Sequence, residues 1–120
     1  MTKPTLANRI GATALAFGLL ATGALAHSAK METVPADGAR LAEAPAIIGM
    51  VFDAPVRVTS VTLENGEGEG FEIERTDGMA PVERFEAGAP VLPSGSYRVE
   101  WRGLADDGHP MSGGFGFIVE

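Results

Sequence analysis

Gly95-Ser96-Tyr97-Arg98-Val99-Glu100-Trp101-Arg102 is the stretch that decides the fold. Tyr97, Val99 and Trp101 alternate with Arg98, Glu100 and Arg102, so one face is apolar and the other charged. A period of two marks a half-buried β-strand, because successive side chains leave opposite faces of the pleat. Tyr97 and Trp101 are therefore expected in a core, with Glu100 and Arg102 outside it. Downstream, Phe115, Phe117 and Val119 alternate with small or polar residues in a last strand. Upstream, Ile47 to Phe52 reads as a buried strand. Val56, Val58, Val61 and Leu63 form another, with a change of phase near Ser60 of the kind a β-bulge makes. Phe71, Ile73 and Arg75 open a third, Val82 to Phe85 a weaker fourth, and Ser28 to Val34 supplies the first strand of the chain.

Turn signals separate these segments: Pro35-Ala36-Asp37-Gly38, Asp53-Ala54-Pro55, Asn65-Gly66, Asp77-Gly78, Pro93-Ser94-Gly95 and Asp107-Gly108-His109-Pro110. Glycine supplies positive φ and proline fixes φ, so both punctuate a chain of short strands. No sustained helical period follows residue 26; Arg40 to Ala44 suits one short turn, stopped by Pro45. About seven short strands with this punctuation predict an all-β fold, a small Greek-key, immunoglobulin-like antiparallel β-sandwich.

The composition narrows the function. The chain has 120 residues with 9 basic and 16 acidic side chains, a net charge of −7, and no cysteine. Disulfides, thiolate metal sites and cysteine nucleophiles are excluded, and the excess of acid argues against a nucleic-acid partner. Residues 1–26 read as a secretory signal peptide. Lys3 and Arg9 start it, an uncharged run from Ile10 to Ala26 follows, and Ala24-Leu25-Ala26 closes it as a small-x-small cleavage site. The run is short for a membrane span and is broken by Gly11, Gly18 and Gly23. Two segments are thus expected, a leader over 1–26 and a single domain over 27–120, with a periplasmic destination and no stable membrane insertion after cleavage. Removing the leader takes away two basic side chains and no acidic ones. It leaves 94 residues with 7 basic and 16 acidic groups, a net charge of −9, and His27 as the first residue.

His27 and His109 are the two histidines of the sequence. As a new N-terminus, His27 offers its α-amine and its ring Nδ1, which together close a six-membered chelate ring on a metal; an amine of pKa about 7.7–8.0 yields its proton readily to an ion. His109 lies two residues after Asp107. In an extended segment the two side chains share one face, about 6.5–7 Å apart, and Pro110 favours an extended backbone at His109. An amine, two imidazoles and a carboxylate form an N3O set that suits Cu(II), Ni(II) or Zn(II). Cu(II) stands first in the Irving–Williams order and favours tetragonal N,O geometry.

The same residues carry a resemblance. Ala26-His27, Pro35-Ala36-Asp37-Gly38, Phe52-Asp53-Ala54-Pro55-Val56, Gly95 to Arg102, Asp107-Gly108-His109-Pro110 and Gly113-Gly114-Phe115-Gly116-Phe117 occur in the order and spacing of the CopC-like periplasmic copper-resistance proteins. The chain resembles that family over nearly all of its length beyond the leader. The resemblance implies a Greek-key β-sandwich with one Cu(II) site, its ligands His27, Asp107 and His109. It also implies a role in sequestering or carrying copper for resistance or homeostasis, with an inner-membrane copper transport protein or a periplasmic cuproenzyme as partner. Some members add a Cu(I) site from a Met-rich loop and a histidine. Here Met31, Met50, Met79 and Met111 are scattered and no histidine lies between His27 and His109, so a single Cu(II) site is expected. Met50, between Gly49 and Val51, reads as core packing.

Two other functions fit parts of the pattern. The amine with two imidazoles resembles the histidine brace of oxygen-activating copper monooxygenases. Asp107 would fill the open position such enzymes need, however, and one Trp and one Tyr offer little polysaccharide-binding surface; no enzymatic activity is expected. A metal-free sandwich acting as an interaction module is the other alternative. Glu64, Glu67, Glu69, Glu72 and Glu74 lack the spacing of a calcium loop and read as a solvated hairpin tip. Gly113, Gly114 and Gly116 precede no helix, so they read as a bulge or close strand packing rather than a phosphate loop. None of the serines sits in a nucleophile motif.

Overall fold

The computed structural model describes residues 31–120. The expected leader, His27, and Ser28 to Lys30 of the expected first strand lie outside the described residues. Eight strands follow in order: β1 (Glu32–Val34), β2 (Ala39–Leu41), β3 (Ile47–Asn65), β4 (Gly70–Phe71), β5 (Glu74–Arg75), β6 (Pro81–Gly88), β7 (Gly95–Ala105) and β8 (Pro110–Val119).

The spine is β3, whose 19 residues serve both layers. Its first part, Ile47–Val51, pairs with β1 on one edge and β6 on the other, and β6 carries β5. Its second part, Val56–Asn65, pairs with β7, which leads to β8 and β2. Between the two parts the register with β6 shifts, because Val51 faces Arg84 while Val56 faces Val82. Pro55 lacks an N–H to give the ladder, so the strand turns its corner there. The sheet curls over this corner into a two-layered sandwich. Ile48, Met50, Phe52, Phe85 and Ala87 of one layer are buried against Val58, Leu63, Tyr97, Val99, Trp101, Phe115, Phe117 and Val119 of the other.

The change of phase near Ser60 is a bulge. Val58 faces Gly103 and Ser60 faces Arg102, leaving Thr59 as the extra residue, and the buried set moves from even to odd positions. Two expectations are corrected. Arg40 and Leu41, the start of the Arg40 to Ala44 segment expected to form one short turn, belong to β2, a strand paired parallel to β8, so the sheet is mixed. The free edge of β8 decides this: Gly38 N–H donates to Gly116 O at 2.7 Å and Glu120 N–H to Leu41 O at 2.8 Å, whereas a one-turn helix leaves its end groups unpaired. Phe71 to Arg75 is two strands rather than one, since β4 pairs with β3 and β5 with β6; a two-residue alternation does not reveal a change of partner.

Tyr97 and Trp101 are core residues, 5% and 3% exposed. Phe52 meets Trp101 edge-on with centroids 5.2 Å apart, and Tyr97 stacks on Phe117 at 5.5 Å. Trp101 occupies the space a side chain at Gly113 would need. A Cβ there would lie 2.9 Å from the indole Nε1, and that buried N–H has no partner among the described residues. Close packing is therefore the role of Gly113. Arg75 ties the layers together: it donates to Val58 O at 2.6 Å, pairs with Asp77 at 2.7 Å and lies 5.2 Å from the centroid of the Phe85 ring.

Candidate metal centre

Four residues, Asp106 to His109, connect β7 to β8, and the last of them closes a three-residue loop, Asp106 to Gly108. Gly108 N–H donates to Ala105 O at 2.8 Å and Ala105 N–H to His109 O at 2.9 Å, closing the hairpin. Gly108 has φ +88°, a left-handed conformation that any other L-residue adopts at a cost of about 1–2 kcal/mol. A three-residue loop with a left-handed glycine at its end is a common way to join two twisted strands.

This turn builds the pair that the spacing suggested, by a different geometry. Asp107 and His109 do not project from an extended strand. The loop folds Asp107 back over His109, so that Oδ1 accepts the His109 backbone N–H at 3.1 Å and Oδ2 lies 2.8 Å from the ring Nδ1. The backbone N–H of His109, and then its ring, hold the Asp107 carboxyl below its ordinary 3.8. An ionised carboxylate only accepts, so Nδ1 is the donor in this contact and Nε2 points away from Asp107. Both side chains are open to solvent, His109 76% and Asp107 64% exposed.

The pair can meet a metal in two ways. Two bonds of about 2.0 Å at a right angle place their donor atoms about 2.8 Å apart. That equals the present Nδ1 to Oδ2 separation, so an ion replacing the shared proton fits both atoms. Alternatively Nε2 takes the ion while Asp107 orients the ring from behind. Among the described residues no group of three or more His, Asp or Glu side chains converges, so this pair needs further donors to complete a site.

The register indicates where such donors can come from. Val56 faces Val82 across one edge of β3 and Ala105 across the other; Val51 faces Arg84 across the first edge and Glu32 across the second. β1 and β7 therefore follow one another along the same edge, separated by the corner at residues 52–55. The start of β1 and the 106–109 turn share one end of the sandwich. His27 itself lies outside the described residues.

Met50 is 1% exposed within the core, Met79 sits in an exposed turn at φ +64°, and Met31 and Met111 pack against the core. The acidic stretch includes a hairpin tip ordered by Asn65, whose Oδ1 accepts the backbone N–H groups of Glu67 and Glu69 at 2.9 Å. The turn signal at Asp107-Gly108-His109-Pro110 is the hairpin connection, which begins one residue earlier at Asp106. The Arg75–Asp77 tie was not read from the sequence and has no local signal.

The family model described as CopC domain matches residues 31–120. The chain belongs to the CopC domain family. Copper transport protein CutJ of Bacillus subtilis is 26% identical over 98 residues, covering 78% of this chain and 18% of that protein. Copper resistance protein C of Escherichia coli is 48% identical over 29 residues, 24% of this chain and 23% of that protein. The chain thus spans less than a quarter of the length of these curated relatives. Among solved structures, CopC from Methylosinus trichosporium OB3b matches with a TM-score of 0.65 at 21% identity, covering 78% of this chain and 94% of its own. The copper resistance protein PcoC of Escherichia coli matches with a TM-score of 0.63 at 23% identity, covering 78% and 100%. These likenesses carry the fold of the CopC domain.

Proposed function

We propose that this CopC-domain protein binds one Cu(II) ion through His27, Asp107 and His109, and that it sequesters or carries copper in the periplasm. In this reading cleavage after Ala26 frees the amine of His27, which joins its own imidazole to the Asp107–His109 pair. The chain then hands the ion to an inner-membrane copper transport protein or a periplasmic cuproenzyme.

The observation that carries this reading is the exposed pair with its 2.8 Å donor separation, at the end of the sandwich where β1 begins. His27 precedes Met31 by four residues, a reach of about 13–14 Å when extended. The relatives named above are copper transport and copper resistance proteins, which favours binding over catalysis. The scattered methionines offer a soft Cu(I) ion no cluster of thioethers. Asp107 contributes negative charge beside the ion, and a net charge of −9 after processing draws cations toward the protein.

Isothermal titration of Cu(II) tests the reading with two proteins, one beginning at His27 and one retaining Ala26. Retention of Ala26 turns the amine into a peptide nitrogen and is expected to weaken binding almost as much as losing the His27 ring. Equal affinity in the two proteins overturns the chelate.

A further inference from the structure

The outer face of the β3–β7–β8 layer changes character beside the Asp107–His109 turn. The register sets two rows across it. Arg57 faces Pro81 on one side and Leu104 on the other, and Leu104 faces Pro110; in the next row Ser60 faces Arg102, and Arg102 faces Ser112. Arg57 lies between buried Val56 and Val58, and Arg102 and Leu104 alternate with buried Trp101 and Gly103. Their side chains therefore leave the core for the outer face. Neither row holds a carboxylate, although residues 31–120 carry 16 acidic and only six basic side chains.

Apolar surface gathers at the same place. Among the described residues five large apolar side chains are exposed, and two of them lie here: Leu104 is 39% and Met79 46% exposed. Arg57 Nη1 donates to Met79 O at 2.6 Å, which brings the Met79 turn to the end of the first row. Pro81 and Pro110 are exposed as well. Four strands span about 14 Å and adjacent rows lie about 7 Å apart, so the patch is small, on the scale of a transient contact. Arginine and methionine are side chains that interface centres favour. Pro110 follows His109, so the patch borders the turn directly.

Charge selects the occupant. A protein surface with carboxylates around an apolar centre complements Arg57, Arg102, Leu104 and Met79. A second copy joined two-fold brings the same two arginines from both sides into one contact, and two chains of net charge −9 repel. An anionic membrane meets Asp106 and Asp107 at the border of the patch as like charges.

We propose that this patch docks an acidic surface with an apolar centre on the partner protein that takes the ion from the turn. It deepens the copper reading and rests on it only for that last step; the contact itself rests on the layout of the face.

Amide NMR of the metal-free chain from His27 tests it, by titration with a short end-blocked peptide of alternating Glu and Leu and, separately, with its Lys–Leu counterpart. The Glu–Leu peptide alone is expected to shift Arg57, Met79, Arg102 and Leu104, and to bind less as salt rises, because the screening length falls from about 30 Å at 0.01 M to about 8 Å at 0.15 M. Arg102→Glu and Leu104→Ser should each weaken binding about fivefold or more. Arg84→Glu makes the same charge change on the outer face of β6, beside buried Phe85, and should change binding less than about twofold. The amide spectrum of each variant reports its fold. An equal loss in Arg84→Glu overturns the patch by reducing it to net charge, and equal shifts with both peptides, or none on this face, overturn it too. Tighter binding to phosphatidylglycerol vesicles, or a dimer that Leu104→Ser dissolves, overturns it by assigning the face to a membrane or to a second copy. Cu(II) titration of the same samples keeps the two readings apart: peptide binding without Cu(II) affinity sinks the copper reading alone, and Cu(II) affinity without peptide shifts sinks the docking alone.

Discussion

Gly113→Ala is the substitution whose outcome the packing sets most directly. The new methyl would lie 2.9 Å from Trp101 Nε1 and 3.2 Å from Cε2 and Cζ2 of the same ring. Contacts this short force one partner to move. The indole cannot swing out, because Trp101 is 3% exposed and the Phe52 ring meets it with centroids 5.2 Å apart. Gly113 is fixed opposite Trp101 in the β7–β8 ladder. Overpacking of a tight core costs about 1–3 kcal/mol. For a domain of this size that lowers Tm by roughly 5–20 °C. Urea unfolding followed by the fluorescence of Trp101, the one tryptophan, measures it. Gly66→Ala is the control, since its Cβ meets only Ser96 Oγ at 3.5 Å and a change within about 0.5 kcal/mol is expected. A Gly113→Ala protein as stable as this control would refute the assignment of Gly113 to the space above the indole.

Other expectations follow from the turn and the tie. Gly108→Ala strains a residue at φ +88° by about 1 kcal/mol and should weaken Cu(II) binding in titration by disturbing Asp107 and His109 together. His109→Ala should weaken Cu(II) by more than the ~10–100-fold typical of changes behind the ligands. Asp107→Asn should alter the EPR spectrum of the Cu(II) protein; an unchanged spectrum assigns Asp107 to orienting His109 rather than to the ion. Asp77→Asn should cost about 1–3 kcal/mol in urea unfolding, because it leaves the Arg75 guanidinium half-paired. Arg75 holds the Asp77 carboxyl below 3.8. That contribution is therefore complete above about pH 4 and is lost as pH falls through the lower folded value. The stability difference between wild type and Asp77→Asn should accordingly shrink below pH 4; a constant difference contradicts the ion pair.

Alternation at Tyr97–Trp101 and at Phe115–Val119 was enough to read strands and their buried faces, because a period of two is a local property of the pleat. The bulge at Thr59 was legible for the same reason: one extra residue exchanges the faces, and the hydrophobic positions record it. Partner choice was not legible. Arg40 looked like part of a turn until β8 offered it an edge, and Phe71 to Arg75 looked like one strand although its two ends serve different layers.

The candidate site divides in the same way. Two histidines, an aspartate two residues before the second, and a small-x-small boundary before the first are facts of the chain alone, and they suffice to propose a ligand set. That Asp107 meets His109 by folding back over it is decided by a left-handed glycine inside a hairpin, and the hairpin exists only because β7 and β8 pair. That the turn lies at the end where β1 starts is decided by the corner in β3, which places residues more than fifty positions apart along one edge. Side-chain chemistry is written residue by residue; proximity between distant residues is a property of the ladder, and only the folded sheet supplies it.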